Sequence, residues 1–107
     1  MVEIPGASTR YRVSYSERVR EELKALLLRA TQRGRGRLVL DAVRELDRRL
    51  QIYPQFGQPL RDLTLKPAQL WVGVVPPLVA HYSIDDHRRL VIVAVPISPL
   101  PNSNLDP

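Results

Sequence analysis

The sequence predicts an α+β domain in which a helical hairpin packs on one face of a mainly antiparallel sheet, in the order β-α-α-β-β-β. Three observations carry this. Two apolar stripes at helical spacing follow each other through residues 17–53, with a glycine-rich basic break between them. Three segments rich in valine and isoleucine come later, joined by short turns. A single strand-like phrase precedes the helices, so helices and strands are segregated along the chain.

The first strand is Tyr11 to Tyr15, where large apolar and polar residues alternate. Ser16 then offers a capping hydroxyl, and Glu17 places negative charge at the positive end of a helix. Val19, Leu23, Leu26, Leu27 and Ala30 form the stripe of that helix, which runs to about Gln32. Arg33-Gly34-Arg35-Gly36-Arg37 ends it in a tight turn, because glycine adopts the left-handed conformation that closes helices. Val39, Val43, Leu46, Leu50 and Tyr53 make the second stripe, which Pro54 stops. Pro54 to Pro67 has no sustained period and reads as a loop returning toward the sheet. Leu70 to Val75 and Leu78 to Ile84 are strands separated by the bend Pro76-Pro77. After the turn Asp85-Asp86-His87-Arg88, the apolar run Arg89 to Ile97 has the pattern of a central strand covered on both faces. Residues 1–97 therefore make one domain. The tail from Ser98 to Pro107, with three prolines and two asparagines, is expected to be extended or mobile.

The absence of cysteine excludes disulfides, thiolate metal sites and cysteine nucleophiles. No apolar run approaches the ~20 residues of a membrane span, and Met1 to Arg10 has no secretory pattern, so a cytoplasmic protein without membrane contact is expected. The net charge of +5 is unevenly placed. Residues 1–40 hold nine Arg or Lys against four Glu, whereas residues 41–107 hold seven of each sign. Such a field favours encounter with nucleic acid or with an acidic protein segment.

The phrases Tyr11-Arg12-Val13, Pro54-Gln55-Phe56-Gly57-Gln58-Pro59-Leu60 and Pro77-Leu78-Val79-Ala80-His81-Tyr82, with the charged turn Asp85 to Arg89 and the apolar Leu90 to Val95, fall in the order strand, helices, loop, strands. In this the chain resembles the RelE/ParE toxin superfamily from about Tyr11 to Ile97. The resemblance implies a RelE/ParE-like fold and a toxin component of a type II toxin-antitoxin system, neutralised by a cognate antitoxin protein whose helix or extended segment wraps it. It implies one of two targets: the ribosome and its mRNA, cut by a ribosome-dependent endoribonuclease of the RelE type, or DNA gyrase, inhibited without catalysis as ParE-like members do. A toxin-fold binding module without activity is the third reading. Two departures bear on the choice. Leu78-Val79 stands where Tyr-Arg is common, and Pro96-Ile97-Ser98-Pro99-Leu100 lacks the Arg and the Tyr or His that RNA-cleaving members place after the last strand.

RNA cleavage of the kind implied needs cations for the phosphorane and groups that move a proton. Arg61, Lys66, Arg88 and Arg89 are candidates for the first role, and His81, Tyr82 and His87 for the second. Strand alternation sets His81 and Tyr82 on opposite faces. Each has a plain structural alternative: His81 as a half-buried strand residue, Tyr82 as a packed aromatic, and His87 as a solvated turn residue. Trp71 is either core or a stacking platform for bases. Arg33, Arg35 and Arg37 form the densest basic cluster and are candidates for nucleic-acid binding, or else solvated turn charge. Arg44, Arg48 and Arg49 alternate with Asp41, Glu45 and Asp47 and are accounted for by helix-surface ion pairs. His81 and His87 do not match zinc spacing, and no phosphate-cradling glycine loop is present, so neither metal nor cofactor is expected.

Overall fold

The structure, a computed structural model, describes residues 10–60 and 69–101. Strand β1, Arg12–Tyr15, leads into helix α1, Glu17–Gln32. The Ser16 hydroxyl accepts from the Val19 amide at 3.1 Å, satisfying one of the free amides of the first turn. At the other end Gly34 has φ 74°, the Arg35 amide donates to the Ala30 carbonyl at 2.7 Å, and the Gly34 amide donates to that of Thr31 at 3.1 Å. This paired closure requires a left-handed residue at position 34, which glycine supplies without a Cβ clash. It reverses the chain into α2, Gly36–Ile52.

Both helices lie on one side of the sheet. Val19, Leu26 and Ala30 of α1 and Val39, Ala42, Leu46 and Leu50 of α2 are buried there. A 3-10 turn, Pro54–Phe56, ends α2, and β2, Gln58–Pro59, β3, Gln69–Val75, β4, Leu78–Asp85, β5, Leu90–Val93, and β6, Ser98–Pro99, follow. The strand order is β1-β5-β4-β3-β2, with β6 also pairing β4. β1 and β5 run parallel and every other pairing is antiparallel, so the sheet is mixed. Leu78, Ala80, Tyr82 and Ile84 of β4 point under the helices, while Val79, His81 and Ser83 face the other way and are half-buried.

The structure corrects the reading of Arg89 to Ile97 as a strand covered on both faces. β5 has inner neighbours on both sides but only four residues, and Ile92 is 38 % exposed while Val91 and Val93 are fully buried. Two helices that share one side of a sheet leave its other face to water. The pairing then breaks: Ser83 faces Ile92, but four residues back along β4 Val79 faces Ser98, so six residues span the distance of four. The bulge contains Pro96, which has no amide to give a ladder. Ser98 and Pro99, assigned to the tail by sequence, thus complete the sheet edge beside β4.

Candidate functional site

The proton-transfer candidates do not converge. Tyr82 is 1 % exposed, and its hydroxyl donates to the Pro54 carbonyl oxygen at 2.7 Å. Burial pushes its phenol up to about 12, with the Gly57 backbone pulling weakly the other way. Phe56 stacks on its ring at 6.2 Å, and Arg49 lies over the outer Phe56 ring at 5.3 Å. A Cβ on Gly57 would stand 2.4 Å from the Val72 carbonyl oxygen and 2.6 Å from the Tyr82 hydroxyl oxygen; one on Gly73 would stand 2.6 Å from the Phe56 ring. The phrase Pro54 to Gly57 is therefore a latch that presses α2 and its following turn onto β3 and β4. Its residues are spent on packing.

His81 lies on the open sheet face, opposite Val72 in register, with the whole sheet between it and the Tyr82 ring. His87 and Arg88 sit in the exposed turn after β4, where Asp85 accepts from the Arg88 amide at 3.2 Å and meets its guanidinium at 3.8 Å. Arg89, at φ 52°, places its guanidinium 5.2 Å from the Tyr11 ring centroid. The Tyr11 hydroxyl donates to Asp86 at 2.5 Å and accepts from Gln55 at 3.1 Å, tying this turn to the start of β1 and to the 3-10 turn. Arg61 and Lys66 lie outside the described residues. Trp71 stands opposite Tyr82 in register and packs against the core, on the face away from a free stacking surface. Arg33, Arg35 and Arg37 do gather at the hairpin tip, where Arg37 approaches Asp41 at 3.7 Å in an exposed pair. Among the described residues no group of three or more metal-ligating side chains occurs, and no helix is long and apolar enough to cross a membrane.

What the structure adds is a groove of about 440 Å³ along the hairpin, beside β1. Its floor is Leu23 and Leu27 of α1 with Leu40 and Val43 of α2, all half-buried. Arg20, Lys24 and Arg44 stand at its rim. At one end the Tyr15 hydroxyl donates to Asp47 at 2.6 Å, and Gln51 donates to the other oxygen of that carboxylate at 2.6 Å. Burial, and then the bond to Asp47, hold the Tyr15 phenol well above its ordinary value. Asp47 is thus engaged inward.

Charge on the helices is only partly paired. Glu45 takes Arg48 and Arg49, each at 2.7 Å, and Asp41 takes Arg37. Arg20, Lys24 and Arg44 have no side-chain partner among the described residues. The groove therefore joins an apolar floor to three cations against the single carboxylate of Asp47, a net positive surface suited to an acidic amphipathic segment. Sequence reasoning placed Leu23, Leu27 and Val43 on the apolar stripes of the two helices without separating groove from core. The signal available was the surplus of leucine in α1, since Leu23, Leu26, Leu27 and Leu28 span a wider arc than one packing face uses.

Comparison of the chain with protein-family models, with curated proteins and with solved structures finds no match.

Proposed function

We propose that this protein is the toxin component of a RelE/ParE-type toxin-antitoxin pair, working in the cytoplasm and acting by contact, as ParE-like inhibitors of DNA gyrase do, rather than by catalysis. The carrying observation is the hairpin groove, apolar below and basic at the rim, which has the chemistry of a protein-docking surface and would receive the antitoxin. The scatter of the proton-transfer candidates supports the same reading. Tyr82 is locked to Pro54 inside the fold, His81 lies across the sheet from it, and His87 sits in a solvated turn. General acid-base work needs two such groups within reach of one phosphate.

A second reading, the ribosome-dependent endoribonuclease, is favoured by one feature, the gathering of Arg33, Arg35 and Arg37 at the hairpin tip, where guanidinium groups suit bidentate contact with phosphate. The two readings separate in one comparison. Purified protein freed of any antitoxin is added to a gyrase supercoiling reaction and to translating ribosomes carrying a defined mRNA. The contact reading expects loss of supercoiling with intact message. Codon-specific cuts with normal supercoiling would establish the second reading instead. Expression that leaves growth unimpaired would remove both and leave a toxin-fold binding module.

A further inference from the structure

An antiparallel sheet with one face in water alternates apolar residues inward with polar residues outward. The open face here departs from that pattern. β3 presents Leu70, Val72 and Val74 there, in register with Ser83, His81 and Val79 of β4. On the other side of β4, Ile92 of β5 stands opposite Ser83. Val74 is 44 % exposed and Ile92 38 %, and Leu70, Val72 and Val79 are half-buried. Among the described strand residues the charges are Arg12, on β1, and Asp85, which is 9 % exposed and accepts from the Arg88 amide in the β4–β5 turn. The face is apolar and close to neutral.

That neutrality selects among occupants. An acidic segment or a nucleic acid would find one cation here, against three at the rim of the groove. A second copy brings the same neutral surface, whereas the net charge of +5 opposes contact between copies elsewhere. Sheets pack face to face about 10 Å apart with strands within about 30° of each other. A two-fold axis running along β4 lays that strand over its own copy, β3 over the second β5, and β1 toward the second β2. Leu70, Ser83 and Ile92 share one level across the sheet, so Leu70 meets Ile92 of the second copy and Ser83 meets its own equivalent. Arg12 is set toward Gln58 and Pro59, which carry no charge. An axis across the strands would instead gather both Arg12 side chains along one edge.

We infer that the open sheet face associates with the same face of a second copy of this chain, about a two-fold axis along β4. Five strands at about 4.8 Å spacing and seven residues of β3 at about 3.3 Å give roughly 450 Å² per copy, about 900 Å² in all. That is the low end of specific interfaces, so the dimer dissociates at about 10–100 µM. At the low micromolar concentrations of an optical melt the chain is then monomeric and the face is wet. The association needs neither the groove nor any toxin activity.

The test uses purified full-length protein. Sedimentation equilibrium from about 5 to 500 µM is expected to pass from monomer to dimer, without larger species. Because the chain has no cysteine, a single introduced one reports its own neighbour. Ser83→Cys, on the axis, is expected to give at least about tenfold more dimer with a short bismaleimide than Ser14→Cys, which lies two strands away and so about 19 Å from its equivalent. His81→Glu and His81→Lys, also on the axis, are each expected to stay monomeric, and an equimolar mixture of the two is expected to recover the dimer. Monomer throughout the concentration range overturns the inference. So does cross-linking of Ser14→Cys as fast as Ser83→Cys, or a mixture that stays monomeric while circular dichroism shows both His81 variants folded. Shifts of the Val74 and Ile92 methyl signals on adding a uridine octamer, without self-association, would give the face to nucleic acid instead.

Discussion

Replacing Tyr82 by phenylalanine removes one oxygen atom and tests whether that side chain is structural or catalytic. The hydroxyl donates to the carbonyl oxygen of Pro54, and both residues are almost fully buried. The carbonyl left behind has no water to turn to, so the cost exceeds that of an average exposed hydrogen bond and amounts to about 1.5 kcal/mol. That is roughly a tenfold fall in the ratio of folded to unfolded protein and, for a domain of this size, a drop of about 6 °C in Tm. Gly57→Ala strikes the same latch from the other side. Its Cβ would stand 2.4 Å from the Val72 carbonyl oxygen, which belongs to a paired strand and cannot yield easily, so a loss of about 2–3 kcal/mol is expected. Urea and thermal melts followed by circular dichroism give both values. If the protein acts as the proposed toxin, growth arrest at 25 °C, where Tyr82→Phe remains mostly folded, should persist. A Tyr82→Phe stability within about 0.3 kcal/mol of the parent would refute the latch, and a folded variant that no longer arrests growth would restore Tyr82 as a catalytic group.

Three other outcomes follow from the same geometry. Leu46→Ala, at a side chain 1 % exposed beneath the hairpin, should cost about 2–5 kcal/mol, whereas Ile92→Ser on the open face should cost under about 1.5 kcal/mol; equal losses in urea melts would mean that the second sheet face is covered. Arg48 and then Arg49 hold the Glu45 carboxyl down to about 2 from its ordinary 4.5. Because the folded value lies below the unfolded one, this contribution is present above pH 4.5 and is lost as the pH falls toward 2. The cluster is open to solvent, so urea midpoints of the parent should lose their small advantage over Glu45→Gln across that window and also in high salt. Under the proposed toxin reading, His81→Gln, His87→Gln and Arg88→Ala should each leave growth arrest in place; loss of arrest in a folded variant would point to chemistry on the open face or in the β4–β5 turn.

Much of the secondary structure was legible because local physics writes it. Ser16 caps its helix, Gly34 takes the left-handed conformation that closes it, Pro54 ends the second helix, and the alternation of β4 sends Tyr82 inward and His81 outward. Each of these depends on residues within one or two turns of each other. The misreading of β5 came from composition. An apolar run matches a strand buried on both faces, but whether a second layer exists depends on where the helices go, and both went to the same side. The role of Pro54 to Gly57 was likewise beyond a linear reading, because Gly57 and Gly73 are needed only where Tyr82, Phe56 and the Val72 carbonyl meet in space.

The sequence alone determined the helical hairpin, the four longer strand segments and the concentration of positive charge in residues 1–40, since these follow from periodicity, capping and composition, whereas the short strands Gln58–Pro59 and Ser98–Pro99 were read as loop and tail. The tertiary structure decided which of the chain's cations are paired. Arg37, Arg48 and Arg49 are paired with acids one helical turn away and Arg88 with Asp85 at the β4–β5 turn, while Arg12, Arg20, Lys24 and Arg44 have no side-chain partner among the described residues, around a groove and a strand edge built from three separate elements. Helical pairing is set by spacing of three or four along the chain. The grouping of unpaired cations over an apolar floor is set by how α1, α2 and β1 pack, and only the folded chain brings those elements together.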